Sequence, residues 1–400
     1  VTTADGVTVQ NYRGGGLYVG SSVDLRSCTF TGNTADNLTY TSGTVGVGMY
    51  IAAGSVANVS RSMFTSNTGG ACGGAIYVHG NLNMTDCVFS QNKAAHSGAV
   101  HNAGKVYVDR CLFLENEATS GFAGAMRQQG STFTVANSTF KGNKAKTHGG
   151  AIHNNRNTIT LDGCIFNENA ATKDGGAIAN WGGGTATVNT CSFVANTAEY
   201  GGAVTNMVNS ATDKKSYLIL NKCSFIGNAA SDGQDAVNGG AVINNGCIAV
   251  ISGCSFEGFS AESGGAVANR LSMTLVPELT IDKGCVFTKN EASLGGAVAN
   301  IAGNAEISGT DFLENNALQH GGAVYNAYDG GTSVMSIRSS EFISNTSVKN
   351  GGAIMNWYAE DDPSALAPEL TISNCEFITN KVTEKTDYEN QGGAIANQCS

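Results

Sequence analysis

Proline, tryptophan and charged side chains are all scarce in this sequence of 400 residues, which contains 3 Pro, 2 Trp and 14% charged residues. Disorder favours high charge and low hydrophobicity, whereas 41% of these residues are apolar, so a disordered chain is disfavoured. The few charges sum to −10. An acidic chain is a poor partner for nucleic acids and for anionic membrane surfaces, so we expect neither as a partner.

Long apolar runs and metal-ligand spacings are also missing. No run approaches the roughly 18 apolar residues of a transmembrane helix, so we expect no membrane insertion in this segment. No basic-then-apolar signal segment opens the sequence, which favours a processed product or a piece of a longer chain. The 12 cysteines form no C-x-x-C pair and no zinc-type cluster with histidine, so the sequence predicts no metal site and no cofactor.

Glycine, by contrast, is abundant, with 53 residues. It recurs inside repeated phrases and not at every third position, which excludes collagen. One phrase reads C-x-F-x-x-N-x-A, as in Cys164–Ala171, and the next reads G-G-A-[IV]-x-N, as in Gly175–Asn180. The phenylalanine returns at spacings of roughly 24 to 35 residues, the range of solenoid repeats. It stands at Phe30, Phe64, Phe89, Phe113, Phe140, Phe166, Phe193, Phe225, Phe256, Phe287, Phe312, Phe342 and Phe377.

Three stretches of each repeat alternate between inward and outward positions: the run before the cysteine, the Cys-x-Phe run, and the [IV]-x-Asn run. This period of two predicts short β-strands, and helical spacing is absent. The predicted fold class is therefore all-β, a single-stranded right-handed parallel β-helix of about 13 to 14 coils stacked about 4.8 Å apart. We expect one continuous solenoid over residues 1–400, less regular in residues 1–60, as a segment of a longer chain or polymer.

Identical residues of successive coils should lie above one another in such a solenoid. The Phe and Ile/Val rows then fill the interior, and the two Asn rows form amide ladders at bends. Nine cysteines stand two residues before the Phe, where other repeats have Ser or Thr, which indicates packing. Free buried thiols are favoured there, and disulfides between neighbouring coils stay open as an alternative.

The phrases F-x-x-N and G-G-A-[IV] resemble the repeats of the chlamydial polymorphic outer membrane proteins and related adhesin-like β-helix proteins. The similarity extends from about Phe30 to Asn397. The resemblance implies a secreted, surface-displayed rod that adheres to other cells or builds cell-surface structure. Outer-membrane anchoring is not supported, because no sign of a membrane β-barrel or signal segment accompanies the repeats.

One candidate binding surface is the position between the Ile/Val and the closing Asn, which should face outwards. In consecutive turns it holds Tyr77, His101, Arg127 and His153. We predict a polar and aromatic stripe that binds a glycan or a protein partner, against the alternative of an ordinary solvated face.

A second candidate is the set of long insertions after the closing Asn, where Trp181, Trp357 and Tyr358 occur. Exposed aromatic side chains stack on sugars or anchor protein interfaces. The alternative is that these rings cover an apolar side of the rod. The histidines His96, His148 and His320, each just before a Gly pair or its equivalent, fall in separated turns, so we expect no shared site among them.

Sequons predict glycosylation at Asn37, Asn58, Asn83 and Asn137 if the host is a eukaryote. Asn345 also begins a sequon, but it belongs to the first Asn row, so we expect it to be buried and unmodified.

The leading functional hypothesis is an extracellular structural or adhesive rod of a cell-surface appendage, coat or adhesin. We expect it to act by display, with no catalytic residues. Its expected partners are like subunits or further β-helix segments stacked end to end, and a cell-surface protein or glycan. The alternative is a polysaccharide lyase or glycoside hydrolase on a β-helix scaffold, a class that needs paired carboxylates in a groove.

Overall fold

A computed structural model describes residues 15–35, 46–227, 236–358, 367–383 and 392–398. These residues form β-strands joined by turns and bends, and no helix occurs among them. The chain divides into two compact units, Val1–Ala179 with Gly184–Thr187, and Asn180–Gly183 with Val188–Ser400. The fold is an all-β, right-handed parallel β-solenoid, as predicted. The expectation of one continuous solenoid over the whole chain stays a prediction.

Each coil contributes up to four strands, and within each unit a strand pairs in parallel with its counterpart in the next coil. The sequence predicted three of them. We name the four sheets by position: the valine sheet follows the Gly pair, the alternating sheet precedes the Cys position, the phenylalanine sheet contains the repeated Phe, and the fourth sheet follows the bend Asn.

The first unit contains six strands in each sheet. The valine sheet has Leu17–Val19, Met49–Ile51, Ile76–Val78, Val100–Asn102, Met126–Gln128 and Ile152–Asn155. The alternating sheet has Val23–Arg26, Val56–Ser60, Asn81–Thr85, Lys105–Asp109, Thr132–Ala136 and Thr158–Asp162. The phenylalanine sheet has Thr29–Thr31, Met63–Thr65, Val88–Ser90, Leu112–Leu114, Thr139–Lys141 and Ile165–Asn167. The fourth sheet has Thr34–Ala35, Thr68–Gly69, Lys93–Ala94, Glu117–Ala118, Lys144–Ala145 and Ala170–Ala171. The strands Ile178–Trp181 and Thr185–Asn189 contain the unit boundary.

The second unit repeats the pattern. Its valine sheet has Val204–Met207, Val242–Asn245, Val267–Arg270, Val298–Ile301, Val324–Ala327, Ile354–Trp357 and Ile395–Gln398. Its alternating sheet has Tyr217–Asn221, Ile248–Ser252, Glu278–Asp282, Asn304–Ser308, Val334–Arg338 and Glu369–Ser373. Its phenylalanine sheet has Ser192–Val194, Ser224–Ile226, Ser255–Glu257, Val286–Thr288, Asp311–Leu313, Glu341–Ile343 and Glu376–Ile378. Its fourth sheet has Ala236–Asn238, Ser260–Ser263, Glu291–Leu294, Asn316–His320, Thr346–Ser347 and Lys381–Val382.

The repeated phenylalanines form a stacked column inside each unit. Ring centroids of successive coils lie 4.7 to 5.0 Å apart from Phe30 to Phe166. They lie 4.5 to 5.1 Å apart from Phe193 to Phe377. Within each unit the predicted column is therefore confirmed, and its burial of aromatic surface supplies much of the hydrophobic driving force.

The bend asparagines form a ladder of buried amides beside this column. Asn92 donates from Nδ2 to Oδ1 of Asn116 at 2.9 Å and to the carbonyl of Phe64 at 2.9 Å. Its backbone N–H also donates to Oδ1 of Asn116, at 3.1 Å. Only a side chain with two donors and an acceptor on one short arm meets these needs, which explains why Asn recurs. Asn345 belongs to this ladder and is 0% exposed, as predicted.

The position two residues before each Phe forms a second ladder. The backbone N–H of Cys87 donates to Sγ of Cys111 at 3.4 Å, and the N–H of Cys111 donates to Oγ of Ser138 at 3.0 Å. The thiol of Cys111 and the hydroxyl of Ser138 in turn donate to the carbonyls of Asp109 and Ala136. The thiol and the hydroxyl each accept one backbone N–H and donate to one carbonyl, which explains why Cys and Ser replace each other at this position. None of the described cysteines forms a disulfide bond.

The glycine pair allows one coil to approach the next. Gly149 has a φ of +66°, a left-handed conformation that favours glycine. A Cβ on Gly150 would lie 2.0 Å from the carbonyl oxygen of Gly176. The chain can therefore bend into the valine sheet only where side chains are absent.

Both faces of the valine sheet are buried, which the sequence did not predict. Val100–Asn102 is buried at all three positions. In the second unit, the outward side of this sheet carries a second apolar cluster. It consists of Ala299, Ile301, Tyr325, Ala327, Met355 and Ala396, with Leu294 and Trp357 packed against it.

Candidate functional site

The predicted surface stripe is not at the surface, so that expectation is wrong. His101, Arg127 and His153 are 2%, 5% and 1% exposed, and Tyr77 is half-buried. They do lie side by side in consecutive coils, with Tyr77 stacked on His101 at a centroid distance of 4.6 Å. The segment that leads into the next Gly pair covers them, because Phe122 stacks on His153 at 4.7 Å.

His96 and His148 belong to the same covered layer although they fall in separated turns, and the expectation that they share no site stays a prediction. Their rings stack on Phe122 at centroid distances of 5.2 and 5.3 Å. Burial and the nearby Arg127 guanidinium hold the pKa of His101 and of His153 well below the usual value. This layer is closed to a large ligand such as a glycan.

The tryptophans and Tyr358 are half-buried. Trp357 packs against the apolar cluster of the second unit, and its ring lies 5.1 Å from that of His320. These contacts favour the covering role that was the alternative for Trp357. The binding role of Trp181, Trp357 and Tyr358 stays a prediction.

Three of the predicted glycosylation sites are exposed on the alternating sheet or next to it: Asn58, Asn83 and Asn137. Asn37 lies outside the described residues. The amides of Asn83 and Asn58 extend an outer ladder, since Asn83 donates to Asn58 and Asn58 donates to Asp24, both at 2.8 Å. Whether any of these sites carries sugar stays a prediction.

An open groove of about 670 Å³ lies on the first unit, beside the bend of the asparagine ladder. We call it the outer groove. Its lining consists of Ser66, Thr68, Gln91, Lys93, Glu115, Glu117, Gly142, Lys144 and Glu168.

Two positions of the repeat supply nearly all of this lining. The first is the residue just before the bend Asn, which adopts a left-handed conformation, with φ of 55° at Gln91, 51° at Glu115 and 54° at Glu168. The second is the residue just after it, which begins a strand of the fourth sheet, as in Lys93–Ala94 and Glu117–Ala118. Two columns of polar side chains therefore flank the buried asparagines.

Charges of both signs alternate along the groove. Parallel register places Lys93, Glu117 and Lys144 next to one another in successive coils. Lys93 Nζ lies 2.7 Å from Glu117 Oε2, and Gln91 Nε2 donates to Glu115 Oε2 at 3.1 Å. Exposed ion pairs of this kind add little to stability, about 0 to 1 kcal/mol. Their ammonium, carboxylate and amide groups are thus available to the hydroxyls of a polar ligand.

The same geometry bears on catalysis and on metal binding. Glycoside hydrolysis needs two carboxyl groups on opposite sides of the scissile bond, one of them protonated. Here the carboxylates of Glu117 and Glu115 are engaged by Lys93 and Gln91. Among the described residues, no group of three or more His, Cys, Asp or Glu side chains has a metal-binding arrangement.

The outer groove was not predicted from the fixed residues of the repeat. The groove is built from the variable letters on either side of the Asn in F-x-x-N-x-A. A signal was present, since Lys93, Glu117 and Lys144 occupy the same repeat position in consecutive coils.

Fold and repeat together define a right-handed parallel β-helix repeat protein. A protein-family model described as "Right handed beta helix region" matches residues 42–197. No curated protein and no solved structure matches the chain. The described residues include no helix with the length and apolar character needed to cross a membrane.

Proposed function

We propose that this protein is an extracellular structural or adhesive scaffold that binds polar chain molecules along its coils and does not catalyse a reaction. The fixed residues of the repeat are used inside the coils, in the Phe column and in the Asn and Cys/Ser ladders. The variable residues gather in the outer groove, which is the observation that carries the proposal. A ligand with a period close to the coil spacing of about 4.8 Å would meet a polar or charged side chain in each coil.

The partners follow from this reading. A glycan or a cell-surface protein segment fits the outer groove, and like β-helix segments fit the exposed strand edges of a coil. The resemblance of the repeats to the chlamydial polymorphic outer membrane proteins supports display at a cell surface.

A polysaccharide lyase or glycoside hydrolase is the second candidate. The observation in its favour is that Glu115, Glu117 and Glu168 line one open groove. The pairing of Glu117 with Lys93 and of Glu115 with Gln91 favours binding over proton transfer, because both carboxylates already accept a hydrogen bond or ion pair.

Cosedimentation with a panel of insoluble polysaccharides, followed by analysis of released sugar, tests both candidates. We expect binding without new reducing ends or unsaturated products. Glu117→Gln should weaken binding several-fold, whereas Glu291→Gln, at the same repeat position in the second unit, should not. Turnover that Glu117→Gln or Glu115→Gln abolishes would establish the enzyme instead, and an absence of binding to the whole panel would count against a glycan ligand.

A further inference from the structure

The covered layer of the first unit gathers titratable side chains that the proposed function does not use. We call His96, His101, Phe122, Arg127, His148 and His153 the histidine layer. Its centre is Phe122, whose ring stacks on three imidazoles and lies 4.9 Å from Arg127 Cζ. Arg127 itself lies between His101 and His153 in the register of the valine sheet.

The charges around this layer are unbalanced. Arg127 is 5% exposed, and its buried Nε and Nη1 have no hydrogen-bond acceptor among the described residues. The layer also contains the carboxylate of Asp174, whose Oδ2 lies 2.5 Å from Nδ1 of His148. An isolated buried cation is costly, so any further positive charge beside Arg127 raises the energy of the closed layer.

The groups that face the two central imidazoles are known from each packed element. The pKa of His101 is lowered by burial and by the charges of Arg127, His96 and His79. Ser97 and Gln129 form hydrogen bonds with the same imidazole. The pKa of His153 is lowered by burial and by the charges of Arg127, His148 and His96. The buried thiol of Cys72 accepts a hydrogen bond from Arg127, and burial raises the pKa of this thiol to about 11. The Arg127 guanidinium and the imidazoles around His101 and His153 are cationic or become so on protonation, and the Asp174 carboxylate lies beside His148.

We propose that the histidine layer is an acid-triggered cover: protonation of His101 and His153 beside Arg127 releases the segments that carry Cys72, His96 and Phe122 from the valine sheet, while the coil interior stays folded. The interior has no matching sensitivity, because its ladders consist of Phe, Asn, Cys, Ser and Thr side chains and contain no imidazole or carboxylate. This device is independent of the proposed binding function.

The direction of the effect follows from proton linkage. Both imidazoles are neutral in the closed layer, and both regain a pKa near 6.5 when the cover opens. The open form therefore binds more protons at acid pH. Each imidazole makes opening about tenfold more favourable for each pH unit below about 6.5, and the pair about a hundredfold.

Cys72 provides a direct probe of opening, and Cys247 a matched control. Both thiols are buried, both have a pKa raised to about 11, and Cys247 lies in the second unit. The protein would be exposed to 4,4′-dithiodipyridine, a thiol reagent that reacts at acid pH, and labelling at each cysteine measured by peptide mass spectrometry. We expect Cys72 to lose protection between pH 6.5 and 4 while Cys247 stays protected.

Two variants test the assignment to this layer. The double variant His101→Gln with His153→Gln should keep Cys72 protected at pH 4, and Arg127→Met should move its loss of protection to lower pH. Far-UV circular dichroism establishes that each variant folds. If the double variant fails to fold, Arg127→Met and the comparison of Cys72 with Cys247 still show whether the histidine layer opens at acid pH. The proposal is overturned if both cysteines react at the same pH, if Cys72 stays protected throughout, or if the variants leave the midpoint unchanged.

Discussion

Asn290 and Asn315 lie directly above one another in consecutive coils, and Nδ2 of Asn290 donates to Oδ1 of Asn315 at 3.0 Å. Both side chains are 0% exposed. This contact recurs along the bend, so each amide satisfies polar groups of its own coil and of its neighbour. The rigidity of the coils at this bend therefore depends on a chain of buried hydrogen bonds as much as on apolar packing.

Removing one amide from this ladder should be strongly destabilising. In the first unit, Asn116→Ala removes the acceptor of the Asn92 backbone N–H, one of the two acceptors of Asn92 Nδ2, and the amide that donates to the carbonyl of Phe89. Each unsatisfied buried group costs about 1 to 3 kcal/mol, so we expect a loss of roughly 3 kcal/mol in urea unfolding. Asn83→Ala, in the exposed outer ladder, should cost about 0.5 kcal/mol or less. Equal losses would show that the buried ladder has no special role.

The Cys/Ser ladder predicts an order of stability for two substitutions at Cys254. Cys254 Sγ accepts the N–H of Cys223 at 3.3 Å and donates to the carbonyl of Ser252 at 3.4 Å. Serine keeps both interactions, whereas alanine leaves the buried N–H of Cys223 without an acceptor. Thermal or urea unfolding should place Cys254→Ala about 1 kcal/mol below Cys254→Ser. The opposite order would mean that the thiol acts only as an apolar filler.

His320 in the second unit should confer a pH dependence that Trp357 reports. Burial and the charge of Lys349 lower the pKa of His320 to about 4. The folded state therefore keeps His320 neutral while the unfolded chain binds a proton, so this contribution is complete above about pH 6.5 and is lost as the pH falls towards 4.

The measurement uses a Trp181→Phe background, in which Trp357 is the remaining tryptophan of the sequence. Because the Trp357 ring lies 5.1 Å from that of His320, protonation of the imidazole should quench its fluorescence with a midpoint near pH 4. His320→Gln should remove the transition. A midpoint near 6.5 would contradict the buried environment.

Glycosylation should separate exposed sequons from a buried one. Asn345 donates from Nδ2 to the carbonyl of Phe312 at 2.9 Å and to Asn380 at 3.0 Å, which leaves no room for a sugar. After secretion from a eukaryotic cell, peptide mass spectrometry should detect glycans at sites such as Asn58 or Asn137 and none at Asn345. A sugar on Asn345 in folded protein would contradict its inward orientation.

The coil could be predicted from the repeat alone. Its fixed letters recur in register, and only a parallel solenoid brings Phe64 over Phe89 and Asn92 next to Asn116. The predicted ladders followed because identical residues stacked about 4.8 Å apart must satisfy one another. Even the burial of Asn345 was readable from its place in the phrase.

The solvent exposure of the outward-facing side chains, by contrast, depends on contacts that form only in the folded protein. Alternation correctly turned His101, Arg127 and His153 away from the coil interior, but it carries no information about a segment that folds back over that face. Phe122 covers Arg127 and His153, and it lies in a part of the repeat that has no recurring residue to predict the contact. Conversely, Lys93 and Glu117 line an open groove because the chain bends at the buried Asn, which leaves the residues on both sides of it exposed. Burial of an outward face depends on contacts between segments that are separated along the coil. The alternation of inward and outward residues within one strand cannot predict such contacts.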